Sequence, residues 1–438
     1  MLFRPARASD LDEVCALLAT PRQGPEYVHT LLTSDPAFKP SQIRVAWTSG
    51  HIIACAKMYP RTLRIGTTAV AASGIGALCM EPRYQERALA ASLLAECVSA
   101  MRLEGALLAP LFAPDHEQAL FVQHGWSVLR EPELEIPVVA LATVTESKGV
   151  TGNVRSAEGE LRGRVIQLPQ EIQARPLESG DLDAVLALRE TVNIARTGSV
   201  VRDRDTWMGS LATLNARGAR MFVAVQGGEL AGYVVVRPAA TRQRDRTGQR
   251  AGQRAEVLEL LLAPWSLDAW RPLLRAAAAT AGEGTTTLSA LLPRDYRALI
   301  AGALDTATLE PAHDDLLLRI IDPSRLLKEL APLLTTRLRK LPVSEPLRLR
   351  IGPLRGGTAL SIADGRVTII PPSRDDPYAL SESVFLSLLF GTEDAYARLR
   401  DPLTVTNGGL PPLPDGALEL LEGLFPPQDW VYWRSDAF

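Results

Sequence analysis

A short basic turn between an apolar run and an amphipathic helix is the first place where residue types suggest chemistry. Residues 81–94 read EPRYQERALAASLL, with Arg83 and Arg87 on either side of Gln85. The first backbone N–H groups of a helix have no partner inside the helix and attract anions. The turn therefore predicts a phosphate site, although it lacks the glycines common in such turns. The alternative is an ordinary helix start with two solvated arginines.

Cysteine and histidine are too scattered to predict a metal site. The four cysteines lie in the first hundred residues, each in an apolar context and none in a CxxC pair, and the five histidines form no HxxxH pair. We therefore expect no metal and four free thiols in a reducing compartment. A buried thiol on an apolar strand is usually inert, which makes Cys79 a weak candidate nucleophile.

The bulk composition predicts a globular protein of several domains. The chain has 438 residues, 46% hydrophobic and 22% charged, with a net charge of −3. This balance gives no reason to bind nucleic acid or a membrane surface, and neither an apolar signal core nor a membrane span is recognisable. A cytoplasmic location is expected. Residues 237–254 are rich in arginine but have no aromatic side chains for base stacking, so we predict a solvated loop.

The elements around the basic turn are those of an α/β domain, and the sequence contains this domain twice in outline. Hairpin patterns, apolar strands and amphipathic helices alternate over residues 1–142. After a polar stretch predicted to be a linker (143–171), the starting pattern RPARASDLD returns as RPLESGDLD. We expect the second copy (172–333) to end with the apolar strand 315–322. Its turn at Ala263 has neither glycine nor a basic cluster, so this copy is predicted to be structural.

The remaining segment, residues 334–438, has a different pattern. Alternating strands flank a turn at Asp364 and Gly365, and two helices follow. The chain ends in WVYWRSDAF. Since termini normally fray in water, this apolar, aromatic ending indicates a docked C-terminus.

The first copy resembles the Gcn5-related N-acetyltransferases (GNAT), whose acyl-CoA signature is a strand, then Q/R-x-x-G-x-G/A, then a helix. Here that register runs from Gln85 to Ala90. The duplicated start, the strand 315–322, the Ala-Asp-Gly-Arg hairpin and the terminal Phe438 make the whole chain resemble the Eis-like (enhanced intracellular survival) family. The resemblance implies a mixed α/β (α+β) fold with tandem GNAT-like domains and a C-terminal domain like the sterol-carrier proteins. It also implies a homo-oligomer, such as a hexamer.

By this resemblance, the pantetheine arm of acetyl-CoA lies along the strand before the turn, and its pyrophosphate lies on the turn and helix. The implied cofactor-binding positions are Leu78, Cys79, Met80, Arg83, Gln85, Glu86, Arg87, Ala88, Leu89 and Ala90. Ala88 stands where the family has its first glycine. In a left-handed conformation it costs roughly 1–2 kcal/mol, whereas in the first helical turn it costs nothing. Glu86 weakens phosphate binding unless it points away.

The resemblance also implies the catalytic groups. The family's proton donor to the thiolate is a tyrosine, which falls on Phe121, a residue with no proton to give. His124 is either a substitute or only a helix cap. The base is the C-terminal carboxylate, here that of Phe438, unless the terminus only packs its ring. Burial raises the pKa of such a carboxylate, and Asp436 nearby would attract cationic amines.

These residues predict acetyl-CoA-dependent N-acetyl transfer to a primary amine, on a polyamine-like small molecule or a lysine side chain. The transfer would be direct, with the C-terminal carboxylate as the base. Ala88, Glu86 and Phe121 support an alternative, a catalytically impaired relative that binds acyl-CoA or acts as a scaffold. Lipid carriage by the C-terminal domain is a third hypothesis.

Overall fold

The computed structural model describes residues 1–21, 23–35, 38–84, 87–143, 171–194, 196–238, 253–282, 284–341, 346–401 and 413–436. Gln85, Glu86 and Phe438 lie outside the described residues, as do most of the predicted linker 143–171 and of the predicted loop 237–254. The chain forms two compact units that interleave along the sequence. Unit 1 comprises Met1–Pro132, Asn193–Ala216 and Pro311–Phe438, and unit 2 comprises Glu133–Val192 and Arg217–Glu310.

Unit 1 contains a mixed seven-stranded sheet in the order β1-β2-β3-β4-β5-β14-β6. Its strands are β1 (Leu2–Pro5), β2 (Ile43–Thr48), β3 (His51–Ile65), β4 (Thr68–Met80), β5 (Leu108–Ala113), β6 (Ser127–Leu129) and β14 (Asp315–Ile320). Its first helices are α1 (Leu11–Leu18), α2 (Pro25–Thr33), α3 (Arg87–Leu103) and α4 (Asp115–Gln123).

Helix α3 covers one face of this sheet because its apolar residues recur at helical spacing. Leu93, Cys97 and Met101 are fully buried and belong to one cluster with Met58 of β3 and Leu111 of β5. Side chains four residues apart lie on one face of a helix, so a single stripe fills this core. This packing fixes the beginning of α3, which follows the basic turn.

The C-terminal part of unit 1 adds a four-stranded sheet in the order β17-β16-β15-β18 and several helices. The strands are β15 (Leu347–Ile351), β16 (Thr358–Ala363), β17 (Arg366–Ile370) and β18 (Tyr378–Leu380). The helices of this part are α10 (Pro323–Leu338), α11 (Glu382–Phe390), α12 (Ala395–Arg400) and α13 (Asp415–Leu424). Helix α7 (Arg204–Ala216) also belongs to unit 1, in its middle segment Asn193–Ala216. The predicted turn is confirmed, since Asp364 and Gly365 join β16 to β17 with φ angles of 50° and 67°.

Unit 2 contains a second seven-stranded sheet, ordered β13-β7-β12-β11-β10-β9-β8. Its strands are β7 (Glu133–Pro137), β8 (Gln173–Pro176), β9 (Arg220–Gln226), β10 (Glu229–Arg237), β11 (Gln253–Leu262), β12 (Thr285–Ala290) and β13 (Thr308–Glu310). The helices are α5 (Val138–Thr143), α6 (Leu182–Asn193, whose last residue belongs to unit 1), α8 (Trp270–Thr280) and α9 (Arg294–Ala303). Read from β8, the strands follow the same path as those of unit 1 read from β1, so the predicted internal repeat is visible in the fold.

One expectation about the second copy is wrong. The strand predicted to close that copy, 315–322, forms β14 and lies in the sheet of unit 1. It pairs antiparallel with β5 from Asp315↔Ala113 to Ile320↔Leu108, and with β6 on its other side. Reciprocally, β7 lies within the predicted first copy (1–142) but pairs with β12 and β13 in unit 2. Strand patterns identify a strand but not its partner, since apolar strands from either copy satisfy the same pairing.

The predicted fold class, a mixed α/β protein, is confirmed by these sheets and helices. The domain boundaries expected at residues 142, 171 and 333 stay predictions. None of them coincides with a border between the two compact units, which combine segments from both sides of each boundary. Among the described residues, no helix combines the length and the apolar character that a membrane crossing requires.

Candidate functional site

Strand β4 separates from its neighbour β5 almost at once. The two run parallel and share the register pair Ala72↔Leu108, and the N–H of Leu107 donates to the carbonyl of Ala71 at 2.8 Å. On its other side β4 stays paired with β3 as far as Met80. Beyond Ala72, the edge of β4 that faces away from β3 therefore has no recorded pairing with a strand in the described part of the chain. Such an edge offers backbone donors and acceptors to a ligand.

A β-bulge in β4 accompanies this separation. The pairs Cys55↔Cys79 and Lys57↔Gly76 leave two residues of β4, Ala77 and Leu78, opposite a single residue of β3. Ala77 has φ +51°, a left-handed conformation that costs a non-glycine residue about 1 kcal/mol. Bulges bend a strand and often lie beside active sites, so this one is consistent with a ligand-binding role for β4.

The predicted cofactor residues of β4 point to opposite faces of the sheet. Leu78 and Met80 pack against the core beneath α3, whereas Cys79 packs beside α1 and its Sγ lies 3.4 Å from the carbonyl oxygen of Leu17. A ligand lying along the edge of β4 could therefore reach the backbone groups of these three residues but not all three side chains. Burial raises the pKa of the Cys79 thiol, which disfavours the nucleophilic thiolate.

Helix α3 begins directly after the basic turn, and it settles the question about Ala88. This residue lies in the first turn of α3, so the absence of glycine costs no strain. Leu89 and Ala90 are 6% and 2% exposed, so only their backbone groups are available to a ligand. The first N–H groups of any helix have no partner within it, and together with the helix dipole they favour an anion.

Arg83 lies in the short 3-10 turn Pro82–Tyr84, and its side chain already has partners within the protein. Its Nε donates to Glu81 at 2.7 Å, its Nη2 lies 3.1 Å from Nε2 of His51, and its guanidinium stacks on Tyr84. The side chain is 65% exposed, so water screens the pair with Glu81. For Arg83 to bind a phosphate at the start of α3, its guanidinium would have to leave Glu81.

Phe121 is a core residue of unit 1. It is 7% exposed and packs edge-on against Trp126, with ring centroids 5.8 Å apart. The predicted acid position is therefore occupied by a buried ring that has no ionisable hydrogen. His124 ends α4 as a cap, because its Nδ1 lies 2.7 Å from the carbonyl oxygen of Leu120 and Gly125 follows with φ +88°. This geometry supports the capping alternative for His124.

The C-terminal segment is docked, as predicted, over all of its described residues. Residues 430–436 are buried, and Asp436 forms an ion pair with Arg202, whose Nε and Nη2 lie 2.7 and 2.6 Å from its Oδ1. The proposed attraction of Asp436 for cationic amines is wrong, since a carboxylate with 2% exposure and a bound guanidinium presents no free charge.

Neither Arg202 nor the bulge at Ala77 is predicted from the sequence. Gly74 and Gly76 within a strand pattern were a signal for the bulge, because glycine inside a strand often marks one. Arg202 had no local signal. The only hint was Asp436 in an apolar terminus, since a buried carboxylate requires a cation somewhere in the fold.

In unit 2, the strand that corresponds to β4 is β11, and the backbone groups at its end are bonded by a side chain of the protein. Strand β11 ends at Leu262, as β4 ends at Met80, and the buried hydroxyl of Tyr296 on α9 bonds both backbone groups of Leu262. The N–H of Leu262 donates to this hydroxyl at 3.1 Å, and the hydroxyl donates to the Leu262 carbonyl at 3.4 Å. A side chain of the protein thus satisfies the backbone groups that a ligand would otherwise bind.

Comparison with known proteins agrees with this geometry. Residues 3–129 match the family described as acetyltransferase (GNAT) domain, and a search of curated proteins found no match. Several solved structures are similar along nearly the whole chain, among them the following three. A GCN5-related N-acetyltransferase from Anabaena variabilis ATCC 29413 is 14% identical, with 98% of each chain covered and a TM-score of 0.65. Eis1 from Mycobacterium abscessus is 14% identical, with both chains fully covered and a TM-score of 0.62.

The third structure, a GCN5-related N-acetyltransferase from Kribbella flavida, is 16% identical over 98% of this chain and 96% of its own, with a TM-score of 0.61. Identities this low establish a shared fold and nothing finer. Residues 3–129 therefore carry a match to the GNAT acetyltransferase domain, and the chain as a whole shares its fold with these acetyltransferase structures.

Proposed function

We propose that the protein is an N-acetyltransferase that moves an acetyl group from acetyl-CoA to a primary amine, on a polyamine-like small molecule or a lysine side chain. The observation that carries this proposal is the free edge of β4, which runs past the Ala77 bulge as far as Met80. The match of residues 3–129 to the acetyltransferase domain supports it.

The residues of this edge fit an acyl-CoA. The pantetheine arm carries amide groups, which bond to the backbone of Leu78 and Met80 as a third strand would. The pyrophosphate lies on the N–H groups at the start of α3, where Ala88, Leu89 and Ala90 offer only backbone and one methyl group. Arg83 adds a charge-assisted contact once it leaves Glu81.

The chemistry requires a base for the amine and an exit for the thiolate. In the proposed reaction the C-terminal carboxylate of Phe438 takes a proton from the ammonium, directly or through a water. The neutral amine then attacks the thioester carbonyl, so that a C–N bond forms and the C–S bond breaks. Coenzyme A leaves as a thiolate, and water passes to it the proton that the attacking nitrogen loses as the amide forms, because Phe121 cannot supply one. We expect a slower enzyme than one with a positioned acid.

The other parts of the chain are assigned by the same resemblance. We propose that residues 172–333 are a second GNAT-like domain without a cofactor site and that 334–438 are a sterol-carrier-protein-like domain. The closure of β11 by Tyr296 supports loss of the site in the second copy. We also propose that the protein is cytoplasmic and forms a homo-oligomer, such as a hexamer.

Calorimetry with acetyl-CoA tests the binding half of the proposal. We expect saturable binding that weakens when Arg83→Ala removes a phosphate contact. If acetyl-CoA does not bind even at millimolar concentration, both the enzyme and the acyl-CoA-binding alternative fail.

An acetylation assay over diamines, polyamines and lysine peptides tests the chemical half. Deleting Phe438, or appending one glycine after it, moves the carboxylate, and we expect kcat to fall roughly 10²-fold or more in both variants. Binding without turnover on any amine would favour the impaired, acyl-CoA-binding relative. Turnover that survives both terminal changes would remove Phe438 from the mechanism.

A further inference from the structure

We propose that the acyl-CoA groove accepts only short acyl groups, and that Ile75 and Ser73 of β4 set this limit. The inference rests on the proposed function, in which the pantetheine arm bonds to the backbone of Leu78 and Met80. In that arrangement the phosphates lie towards α3, so the acyl end points back along β4 towards the fork, defined here as the separation of β4 from β5 at Ala72. The residues just beyond the fork therefore decide how much room an acyl group has.

Burial along β4 changes between Ile75 and Gly76. Residues 72–75 are buried, whereas residues 76–80 are all half-buried. The open part of the edge spans about 17 Å at the rise of an extended strand. In the described part of the chain, the recorded backbone pairing between β4 and β5 ends at Ala72. Side chains rather than a strand ladder therefore bury residues 73–75 and close the inner end of the groove.

Ile75 is the innermost side chain before the groove opens. It is 5% exposed and lies opposite Met58 of β3 in register. It belongs to one apolar cluster with Leu111 of β5 and Phe121 of α4, so this cluster includes side chains from both arms of the fork. Protein interiors are packed too densely to admit extra methylene groups without displacing a neighbour. A longer acyl chain would therefore have to push Ile75 aside.

Ser73 lies two residues closer to the fork, on the same face of β4 as Ile75, because side chains alternate along a strand. It is 3% exposed, and its Oγ has no hydrogen-bond partner among the described residues. A buried hydroxyl without a protein partner needs a water molecule or a ligand to bond. An alkyl chain pushed past Ile75 would cover this hydroxyl and leave it unpaired, whereas a chain that carries its own hydroxyl would bond it.

These two residues oppose a long acyl chain in different ways. An acetyl group has one methyl beyond its carbonyl and stays in the open part of the groove, while further methylene groups meet first Ile75 and then Ser73. One methylene that a pocket cannot accommodate changes specificity by roughly 10–200-fold. We therefore expect acetyl-CoA to be favoured over butyryl-CoA, with a hydroxylated four-carbon chain between them.

Calorimetry without an acceptor amine tests the inference, since no acyl group is then transferred. The ligands are CoA, acetyl-CoA, butyryl-CoA and 3-hydroxybutyryl-CoA, and the variants are Ile75→Val and Ser73→Ala. Ile362→Val is the matched control, because Ile362 is fully buried in β16 of the four-stranded sheet and loses the same methylene.

We expect the wild-type protein to bind butyryl-CoA about 10-fold more weakly than acetyl-CoA and to bind 3-hydroxybutyryl-CoA with intermediate affinity. Ile75→Val is expected to bring the affinities for butyryl-CoA and acetyl-CoA within roughly 3-fold of each other, because it removes a methylene from the closed end. Ser73→Ala is expected to abolish the advantage of the hydroxylated chain over the butyryl chain. Ile362→Val should keep the wild-type ratios.

Equal affinity of the wild-type protein for acetyl-CoA and butyryl-CoA overturns the inference, and so do wild-type ratios in the folded Ile75→Val and Ser73→Ala variants. The same shift in Ile362→Val would assign the effect to a loosened core and would also overturn it. If neither CoA nor any thioester binds at millimolar concentration, the proposed function itself has failed. If CoA and all three thioesters bind alike, only the limit on acyl length has failed.

Discussion

At the scale of single residues, Phe121 determines which groups could protonate the leaving thiolate in the proposed reaction. Its ring is buried against Trp126, whose Nε1 donates to the Ala109 carbonyl of β5 at 3.1 Å. The ring is held tightly beside β5 and has no hydroxyl. The Nδ1 of the neighbouring His124 lies 2.7 Å from the Leu120 carbonyl oxygen, which supports a helix cap as the role of this histidine.

Phe121→Tyr is therefore predicted to accelerate the proposed reaction. A tyrosine hydroxyl that reaches the leaving sulfur acts as a general acid, which is worth roughly 10²-fold or more in kcat. In the absence of substrate the same hydroxyl is buried, and an unsatisfied one costs about 1–3 kcal/mol of stability. Steady-state kinetics and thermal unfolding measure both effects.

Phe112→Tyr is the matched control, since Phe112 lies on β5 but packs against the ring of Tyr432. We expect no gain in kcat from it. A folded Phe121→Tyr variant with unchanged kcat would show that this position does not face the sulfur.

The cysteines are predicted to be unreactive in the folded protein. Burial raises the pKa of Cys97 to about 12 and raises the pKa of Cys55 further, so that at neutral pH only roughly 10⁻⁵ of Cys97 is thiolate. An aromatic disulfide reagent should modify neither thiol until denaturant is added, and Cys79→Ser should retain wild-type turnover. Rapid modification of Cys97 in native buffer would contradict this burial.

At the scale of elements, the clearest sign of duplication is a pair of identical helix starts. Arg4 binds Asp10 through two hydrogen bonds of 2.6 and 3.0 Å, and Arg175 binds Asp181 through two of 2.7 Å. Each aspartate also accepts a backbone N–H three residues earlier. The side-chain hydrogen bond from the arginine is the main reason that the pKa of each carboxyl is lowered.

Asp10→Asn is predicted to destabilise unit 1 by about 1 kcal/mol near neutral pH. A lowered folded-state pKa means that this contribution is present above the unfolded pKa of about 3.9 and is lost as pH falls through the folded pKa. Asp181→Asn should cost less, because Arg175 is 37% exposed and screened by water. Urea unfolding at neutral and at strongly acidic pH measures the difference.

Asp12→Asn is the control, since Asp12 is exposed in the first turn of α1. Its effect should stay below that of Asp10→Asn. An Asp10→Asn penalty that persists unchanged in strong acid would rule out the ion pair as its cause.

At the scale of the whole molecule, the two units are not consecutive pieces of chain. The sheet of unit 1 needs β14, which lies far along the sequence and is buried between β5 and β6. Leu317 of β14 is fully buried in the same cluster as the apolar stripe of α3. Without β14, strand β5 loses the partner that satisfies its backbone.

A fragment of residues 1–142 is therefore predicted not to fold cooperatively by itself. Addition of residues 311–438 in trans should restore helical circular dichroism and a compact elution volume, because these residues supply β14. The same segment with Leu317→Asp should not restore them, since it buries an unpaired charge. A cooperative unfolding transition in the isolated fragment would contradict the role assigned to β14.

Local patterns in the sequence were enough to predict the hairpin at Asp364 and the repeated starting pattern of the two copies, because each depends on contacts within a few residues. The same kind of local pattern predicted that a helix follows the basic turn. It also predicted that the apolar C-terminus is docked. Only the tertiary structure decided that β14 joins the first sheet, that Ala77 bulges where β4 leaves β5, and that Arg202 holds Asp436. Each of these depends on which distant segments pack together. Burial stabilises any apolar strand in a sheet and any well-paired buried charge, so the sequence pattern does not specify which partner is chosen.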